Sequence, residues 1–424
     1  MLRYITASIN GFILIAILLL PIPLAAQNTG KGPPRYTVMV LGTLGGTFST
    51  ANGVSNDAAI TGFSTLPEDA VVHAFIWRKG VITDLGTLGG PNSFAGEGSR
   101  PNERGEVAGF SATPTLDPYG EGFCDAIAGS RVAPFICRPF VWRRGVMTEL
   151  PTLGGNNGIA AGINNRGQVA GVAETATVDP TCPPPQIFAF EAVIWEPNGS
   201  GIRELPPLPG DTGASAAAIN DKGQAVGTSG TCAVGPIEAV LWEKGKPIDL
   251  GNLGGAVFNI AFALNNRGQI IGQSNLPGNT THHAFLWQNG VMTDLGTLRG
   301  VPGSLAEGIN NKGQVVGFSD DFQGNEVALL WQNGAMFDMN TLVSTDSPWF
   351  LQEALGINER GQIVGFALNT ISGEVHGFLA TPIEGSESPA TAAQARSTET
   401  PRVIVPEKVR EMLRHQYRWP GLGK

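Results

Sequence analysis

Residues 304–339 read SLAEGINNKGQVVGFSDDFQGNEVALLWQNGAMFDM, and this stretch decides the fold. Ser304 to Ile309 forms a short run that stops at Asn310-Asn311-Lys312-Gly313, four residues of which Asn and Gly tolerate positive φ. Gln314 to Ser319 then returns as an alternating, β-branched run, so the two segments make a hairpin. After a polar loop, Val327 to Trp331 reads as a third strand. Gln332-Asn333-Gly334 reverses the chain into a fourth, Ala335 to Met339, because Asn-Gly between apolar runs is a strong hairpin signal. No helical periodicity interrupts these four short antiparallel strands.

The same text recurs along the chain. The final glycine of each second strand falls at Gly62, Gly109, Gly171, Gly227, Gly272, Gly317 and Gly365, which makes seven units. The third-strand tryptophan falls at Trp77, Trp142, Trp195, Trp242, Trp287 and Trp331, which makes six. Undecorated units repeat every 44 to 48 residues, the size of one four-stranded propeller blade. The seventh unit stops after its third strand at Gly377-Phe378-Leu379. Tyr36 to Gly46, YTVMVLGTLGG, matches the fourth-strand text VMTDLGTL from Val291 onward and has no blade in front of it. The expectation is an all-β, seven-bladed β-propeller over residues 34–382, closed by its N-terminal strand. An open solenoid would want dissimilar capping units instead.

The flanks read differently. Residues 1–26 carry Arg3, an apolar run from Phe12 to Leu20 and small residues at Ala25 and Ala26, the pattern of a cleaved secretory signal. An exported product, periplasmic or extracellular, is therefore expected, with no membrane span in the mature chain. Residues 383–404 are rich in Ser, Thr, Ala and Glu and read as a disordered linker. Residues 405–418 read as a short basic helix with Arg410, Arg414 and Arg418. The formal net charge of −9 argues against nucleic acid, whose phosphates require clustered cations. A monomer is expected.

Cys124, Cys137, Cys182 and Cys232 all lie outside the repeat consensus. In an exported chain they are expected to pair, and three connectivities exist. Cys124 and Cys137 share one insertion, while Cys182 and Cys232 occupy equivalent loops of successive units, so those two pairs are predicted.

His-Ala-Phe-x-Trp at His73 and His283, with the surrounding L-G-T-L-G-G and I-N-N-x-G-Q-V-V-G, resembles the HAF family of bacterial extracellular repeats over roughly Tyr36 to Pro382. The resemblance implies export and a propeller-like repeat domain, and it assigns no catalytic residues. The histidine is replaced by Arg138, Glu191, Glu238 and Val327 in other units, so one shared catalytic duty for that position is not expected.

Strand direction places the two hairpin turns of each blade on one face. The loops between second and third strands, and the L-G-T-L-G-G links, fall on the other. Insertions at 111–137, 173–188 and 228–236 all use this second face and hold every cysteine, which makes it the expected binding face. Phe48, Phe94, Phe258, Trp349 and Phe350, in links leading to first strands, are either a ligand patch there or loop packing. First strands are expected to crowd the axis, which explains small residues at Ala51, Gly98, Ala160, Ala216, Ala261, Ala306 and Ala354; Arg100, beside Pro101, breaks that pattern and is expected near the central opening. Glu307 is the one acid in the first-strand consensus. The histidines are too dispersed for a shared metal ion, the Asn-rich turns lack the acids calcium needs, and the acid at Asp84, Glu149, Glu204, Asp249, Asp294 and Asp338 reads as structural. No metal, cofactor or catalytic constellation is expected. The leading expectation is a non-enzymatic module that binds a protein or glycan through its loop-bearing face. The alternative is a polysaccharide lyase or glycosidase with its site in the central cleft.

Overall fold

In the computed structural model, residues 33–386 are described, apart from 97–98, 122–123, 125–134, 183, 198–200, 233–235, 299–300 and 345. The expected signal segment, the basic helix, Gly98 and all but the first residues of the linker lie outside the described residues.

The described strands form seven four-stranded antiparallel sheets, each in simple meander order, set as blades around a ring. Blade six, the unit quoted above, comprises Gly303–Ile309, Val315–Asp320, Glu326–Gln332 and Ala335–Asp338. Asn333 and Gly334 both have positive φ, 53° and 79°, as a tight type I′ turn demands. Blade seven takes its first three strands, Trp349–Ile357, Ile363–Asn369 and Val375–Pro382, from the end of the chain. Its outer strand is Tyr36–Val40, paired antiparallel with Val38 opposite Ala380 and Val40 opposite Phe378. The ring is closed by the N-terminal strand, as the sequence reads.

The repeat glycine has a steric cause. A Cβ on Gly317 would collide with the Leu305 carbonyl oxygen of the first strand, and Gly62, Gly171, Gly227, Gly272 and Gly365 each face the equivalent carbonyl. The tryptophans pack between blades: Trp195 and Trp242 are fully buried, while Trp287 and Trp331 sit against the clusters joining blades four to five and five to six.

One expectation about the first strands is corrected. Ala160, Ala216, Ala261, Ala306 and Ala354 belong to inter-blade cores rather than to the axis. A register shift follows each of them, between Ala306 and Gly308 for example. This β-bulge turns the residue two places later toward the axis.

The face carrying the first-to-second strand turns is stitched by side chains. Asn265 Nδ2 donates to the Asn310 carbonyl at 3.0 Å, and Asn310 repeats this toward Asn358. A second circuit runs N–H to side-chain oxygen through Glu103, Asn165, Asp221, Asn266, Asn311, Glu359 and Asn56. Asn56 Nδ2 donates to Glu103 Oε1 at 3.0 Å and closes the circle.

Candidate functional site

The axial cavity holds about 70 Å³ and is lined by the last residues of the first strands, among them Ile163, Ile219, Ile309 and Ile357, together with Arg100 and Glu307. Because these residues directly precede the stitched turns, the cavity lies toward the turn face. Arg100 reaches the axis, as its place in the sequence suggests. Burial raises the Asp221 carboxyl, but hydrogen bonds from Asn165 and Asn266 and the Arg100 charge bring it below the usual range. Glu307 Oε1 is buried without a hydrogen-bond partner, and burial pushes its carboxyl up to about 7. Ligand pockets commonly hold about 300–1,000 Å³, and a single carboxyl cannot supply an acid and a base. The central cleft is too small for a sugar chain, so the place expected for an enzyme site does not fit one.

The loop face has two halves. Over blades two to four lie the disulfides Cys124–Cys137 and Cys182–Cys232, with S–S distances of 2.05 Å and 1.93 Å, the pairing read from the sequence. Beneath them Phe48 and Phe94 are buried in a cluster that includes Phe63, Phe110 and the first disulfide, and Phe94 stacks on Phe110 at 5.1 Å. Phe48 and Phe94 therefore pack the loops onto the sheets and offer no ligand surface. Phe258 is half-buried and forms no part of that cluster. The structure does not bring the seven sequence-derived candidates together: Arg100 and Glu307 lie toward the turn face, the aromatic residues in the links of several blades.

Over blades five to seven the same face carries a different set of groups. Glu326 starts the third strand of blade six and lies within hydrogen-bond reach of the Glu353 carboxyl on the first strand of blade seven. Burial, then the nearby charges of Asp320 and Asp321, hold Glu326 up at about 7 despite that contact. Asp320, ending the second strand of blade six, is raised to about 6 mainly by burial. His282, opening the third strand of blade five, places Nε2 3.7 Å from Asp320 Oδ1. Burial first, then the His283 charge, lower His282 to about 4, so its imidazole is neutral at pH 7. The exposed Phe322 ring meets His282 edge-on at 5.1 Å, and Trp349 lies against His376 at 5.1 Å. Phe350 packs partly into the blade-six core. The sequence pointed to Trp349 and Phe350 but missed the ionisable groups, because they come from three blades and no single segment displays them. The one available signal was acid at Asp320, Asp321 and Glu326 around a blade that otherwise follows consensus.

The repeat histidines are structural. His73 Nδ1 lies 2.8 Å and His283 Nδ1 2.9 Å from the carboxylates of Asp84 and Asp294 on the neighbouring outer strand. Burial raises Asp84, but the His73 hydrogen bond and the Gly86 N–H carry it below the usual carboxylate range. In blade two the pair becomes Arg138 and Glu149, 3.4 Å apart. Blades three and four invert the rule: Glu191 faces Glu204 and is raised to about 7, by burial and then by that like charge, and Glu238 is raised by burial, Asp211 and Asp249. Asp179, Cys182 and Cys232 bring metal-type atoms together, but both sulfurs are bonded in the disulfide and offer no thiolate.

No family model and no curated protein matches the chain. Among solved structures it is similar to an acylaminoacyl peptidase from Pyrococcus horikoshii, with a TM-score of 0.47 and 11% identity over 83% of this chain and 53% of that one. It is also similar to a puromycin-hydrolyzing peptidase from Mycobacterium tuberculosis, TM-score 0.48 and 15% identity over 82% and 56%. An oligogalacturonate lyase from Vibrio parahaemolyticus gives 0.47 and 8% over 84% and 100%. The chain spans about half the length of the two peptidases. At these identities the likeness shows the fold alone. The expectation that the chain is not an enzyme is corrected on a general ground: one fold hosts many functions, so a repeat architecture without a linear catalytic motif is no argument against catalysis.

No helix among the described residues is long and apolar enough to cross a membrane. Two disulfides fit an oxidising compartment.

Proposed function

We propose that the chain is an exported, glycan-active propeller that engages a polysaccharide on its loop-bearing face and cleaves it with acid and base groups where blades five, six and seven meet. One observation carries this reading: Glu326, whose carboxyl is held up at about 7 by burial and by the charges of Asp320 and Asp321, stands in the same cluster as Asp320 and the neutral His282, whose Nε2 lies 3.7 Å from Asp320 Oδ1. Pairs of titratable groups whose surroundings push their pKa values apart are how one site supplies donor and acceptor at one pH.

In this reading Glu326 donates its proton to the departing glycosidic oxygen. His282 or Asp320 accepts a proton, from water in a hydrolysis or from the sugar carbon in an elimination. Glu353, fully buried, is a positioning residue that fixes the Glu326 carboxyl, while burial and the charges of Asp320 and Asp321 keep the proton on it. Phe322, against the His282 ring, borders the cluster as an apolar surface for a sugar ring, and Trp349, against His376, offers a second aromatic surface on blade seven. The HAF-like repeat text supports export of such a protein.

The test is turnover of a polysaccharide panel by the mature protein, reading reducing ends for hydrolysis and unsaturated ends for elimination. Activity is expected to fall as pH rises through about 7, where the Glu326 donor ionises, and Glu326→Gln is expected to lower kcat by about 10²-fold or more. Full activity in Glu326→Gln, or no turnover of any polymer, sinks this reading.

A second reading, a protein partner that docks through basic residues, is favoured by blades three and four. There two acids meet where blades one, two and five set a His or Arg against the acid. A partner retained equally by Glu191→Lys rules it out.

A further inference from the structure

On the face opposite the loops, and independent of the cleavage reading, the repeat writes a ring of cations. The third residue of the first-to-second strand turn is Arg104, Arg166, Lys222, Arg267, Lys312 and Arg360 in blades two to seven, and all six are exposed. Blade one has Asp57 there instead. The second residue of the same turn is Asn, Asp or Glu, and it is engaged in the side-chain circuit. Asp221 Oδ1 accepts from the Asn165 N–H at 2.8 Å, and Glu359 Oε1 from that of Asn311 at 3.0 Å. These acids are bound sideways to the neighbouring turn, while the cations stand outward in solvent.

The outer turns carry the same sign. Where third and fourth strands meet, blades one, two and four present Arg78, Lys79, Arg144, Lys244 and Lys246, each exposed. Among the described residues, Arg138 is the only Lys or Arg on the loop-facing side, although the whole chain has a formal charge of −9. This sorting makes the disc electrically two-sided, and such a field orients a protein toward a charged partner. The chain also leaves the ring on the basic face. Ser386 Oγ accepts the Arg35 N–H at 3.0 Å, just before the outer strand of blade seven begins at Tyr36, and outer strands begin on that face. Residues 401–424 then add Arg402, Lys408, Arg410, Arg414, Arg418 and Lys424 against Glu407 and Glu411.

We propose that the turn face docks on an anionic bilayer surface, with the ring of turns lying against the phosphate headgroups. The shape of the patch selects this partner. All seven turns have one length, each closed by a bond from its first N–H to the carbonyl four residues on, as from Asn310 to Gln314, and one hydrogen-bond circuit joins them. Their cations are therefore spread round a circle at one level. A linear polyanion meets only a few of them at a time, whereas a planar surface meets them together, and the axial cavity of about 70 Å³ admits no polymer. Each Lys or Arg near an anionic surface strengthens attachment by about fivefold. The loop face then looks away from the bilayer, so attachment and cleavage use opposite sides of the disc.

The experiment sediments the mature full-length protein with vesicles of phosphatidylcholine alone, or of equal parts phosphatidylcholine and phosphatidylglycerol, at about 50 mM and about 300 mM salt. Binding is expected on the anionic vesicles only, and about tenfold or more weaker at the higher salt. Lys222→Gln, Lys312→Gln and Arg360→Gln combined are expected to weaken it about 100-fold without moving the melting temperature. Removal of residues 387–424 is expected to weaken binding and leave a salt-sensitive remainder. Equal sedimentation with neutral vesicles, or unchanged binding by the triple variant, overturns the proposal. So does a protein that binds soluble polygalacturonate but no vesicle, or one whose attachment vanishes with residues 387–424. Polysaccharide turnover is a separate readout, so the failure of attachment and the failure of cleavage are told apart.

Discussion

At the scale of single residues, Gly317 shows how little freedom the repeat leaves. Its missing side chain lets the first-strand carbonyl of Leu305 pass close by, so Gly317→Ala is expected to cost about 1–3 kcal/mol, by the logic of overpacking, measured by urea unfolding. His283 is the contrasting case. Its bond to Asp294 is partly exposed, and such pairs contribute under about 1 kcal/mol, so His283→Ala should unfold almost where the wild type does. Glu307 links a residue to pH. Its folded carboxyl titrates near 7 and an unfolded glutamate near 4.3, so the folded state holds the extra proton. Its contribution to stability is full below about 4.3 and is lost as pH rises through about 7, by about 4 kcal/mol at most. Glu307→Gln removes that slope, and a profile as steep as that of the wild type refutes the assignment.

At the scale of elements, the Asn-Asn-x-Gly turn joins blades as well as ending a hairpin. Asn265 accepts from the N–H groups of Arg267 and Gln269 within its own turn and donates to the carbonyl of Asn310 in the next. Asn265→Ala leaves several buried groups unpaired and is expected to cost about 2–3 kcal/mol, whereas Asn265→Asp retains the acceptor and loses only the donor. Chemical denaturation of both separates the two contributions. These turns were legible in the sequence as turns, since Asn and Gly at positive φ leave a local signature. Their service to the neighbouring blade was not, because a side-chain bond between residues 45 apart has no local pattern. The β-bulge after Ala306 escaped for a similar reason: it shifts register by one residue without changing composition. The same limit separates the two halves of the loop face. Cys182 and Cys232 could be paired by their equivalent places in successive units, but Glu326 and Glu353 meet only after the blades have been set side by side.

At the scale of the whole molecule, ring closure was the most legible feature, because a fourth-strand text without its blade at one end and a blade without its fourth strand at the other are complementary. Removal of residues 33–41 exposes the outer edge of Val375–Pro382 and is expected to lower the melting temperature and promote association through that edge, seen by light scattering. The closed ring has one more implication. Ile383 N–H donates to the Arg35 carbonyl at 2.8 Å, and the Arg35 N–H to Ser386 Oγ at 3.0 Å, so the start and the finish of the circle touch at a single point of the rim. No blade is then the natural first one: a circularly permuted gene that splices residue 386 to residue 35 through a few linker residues, and opens the chain in the exposed link after Asp84, should yield the same wheel begun one spoke later.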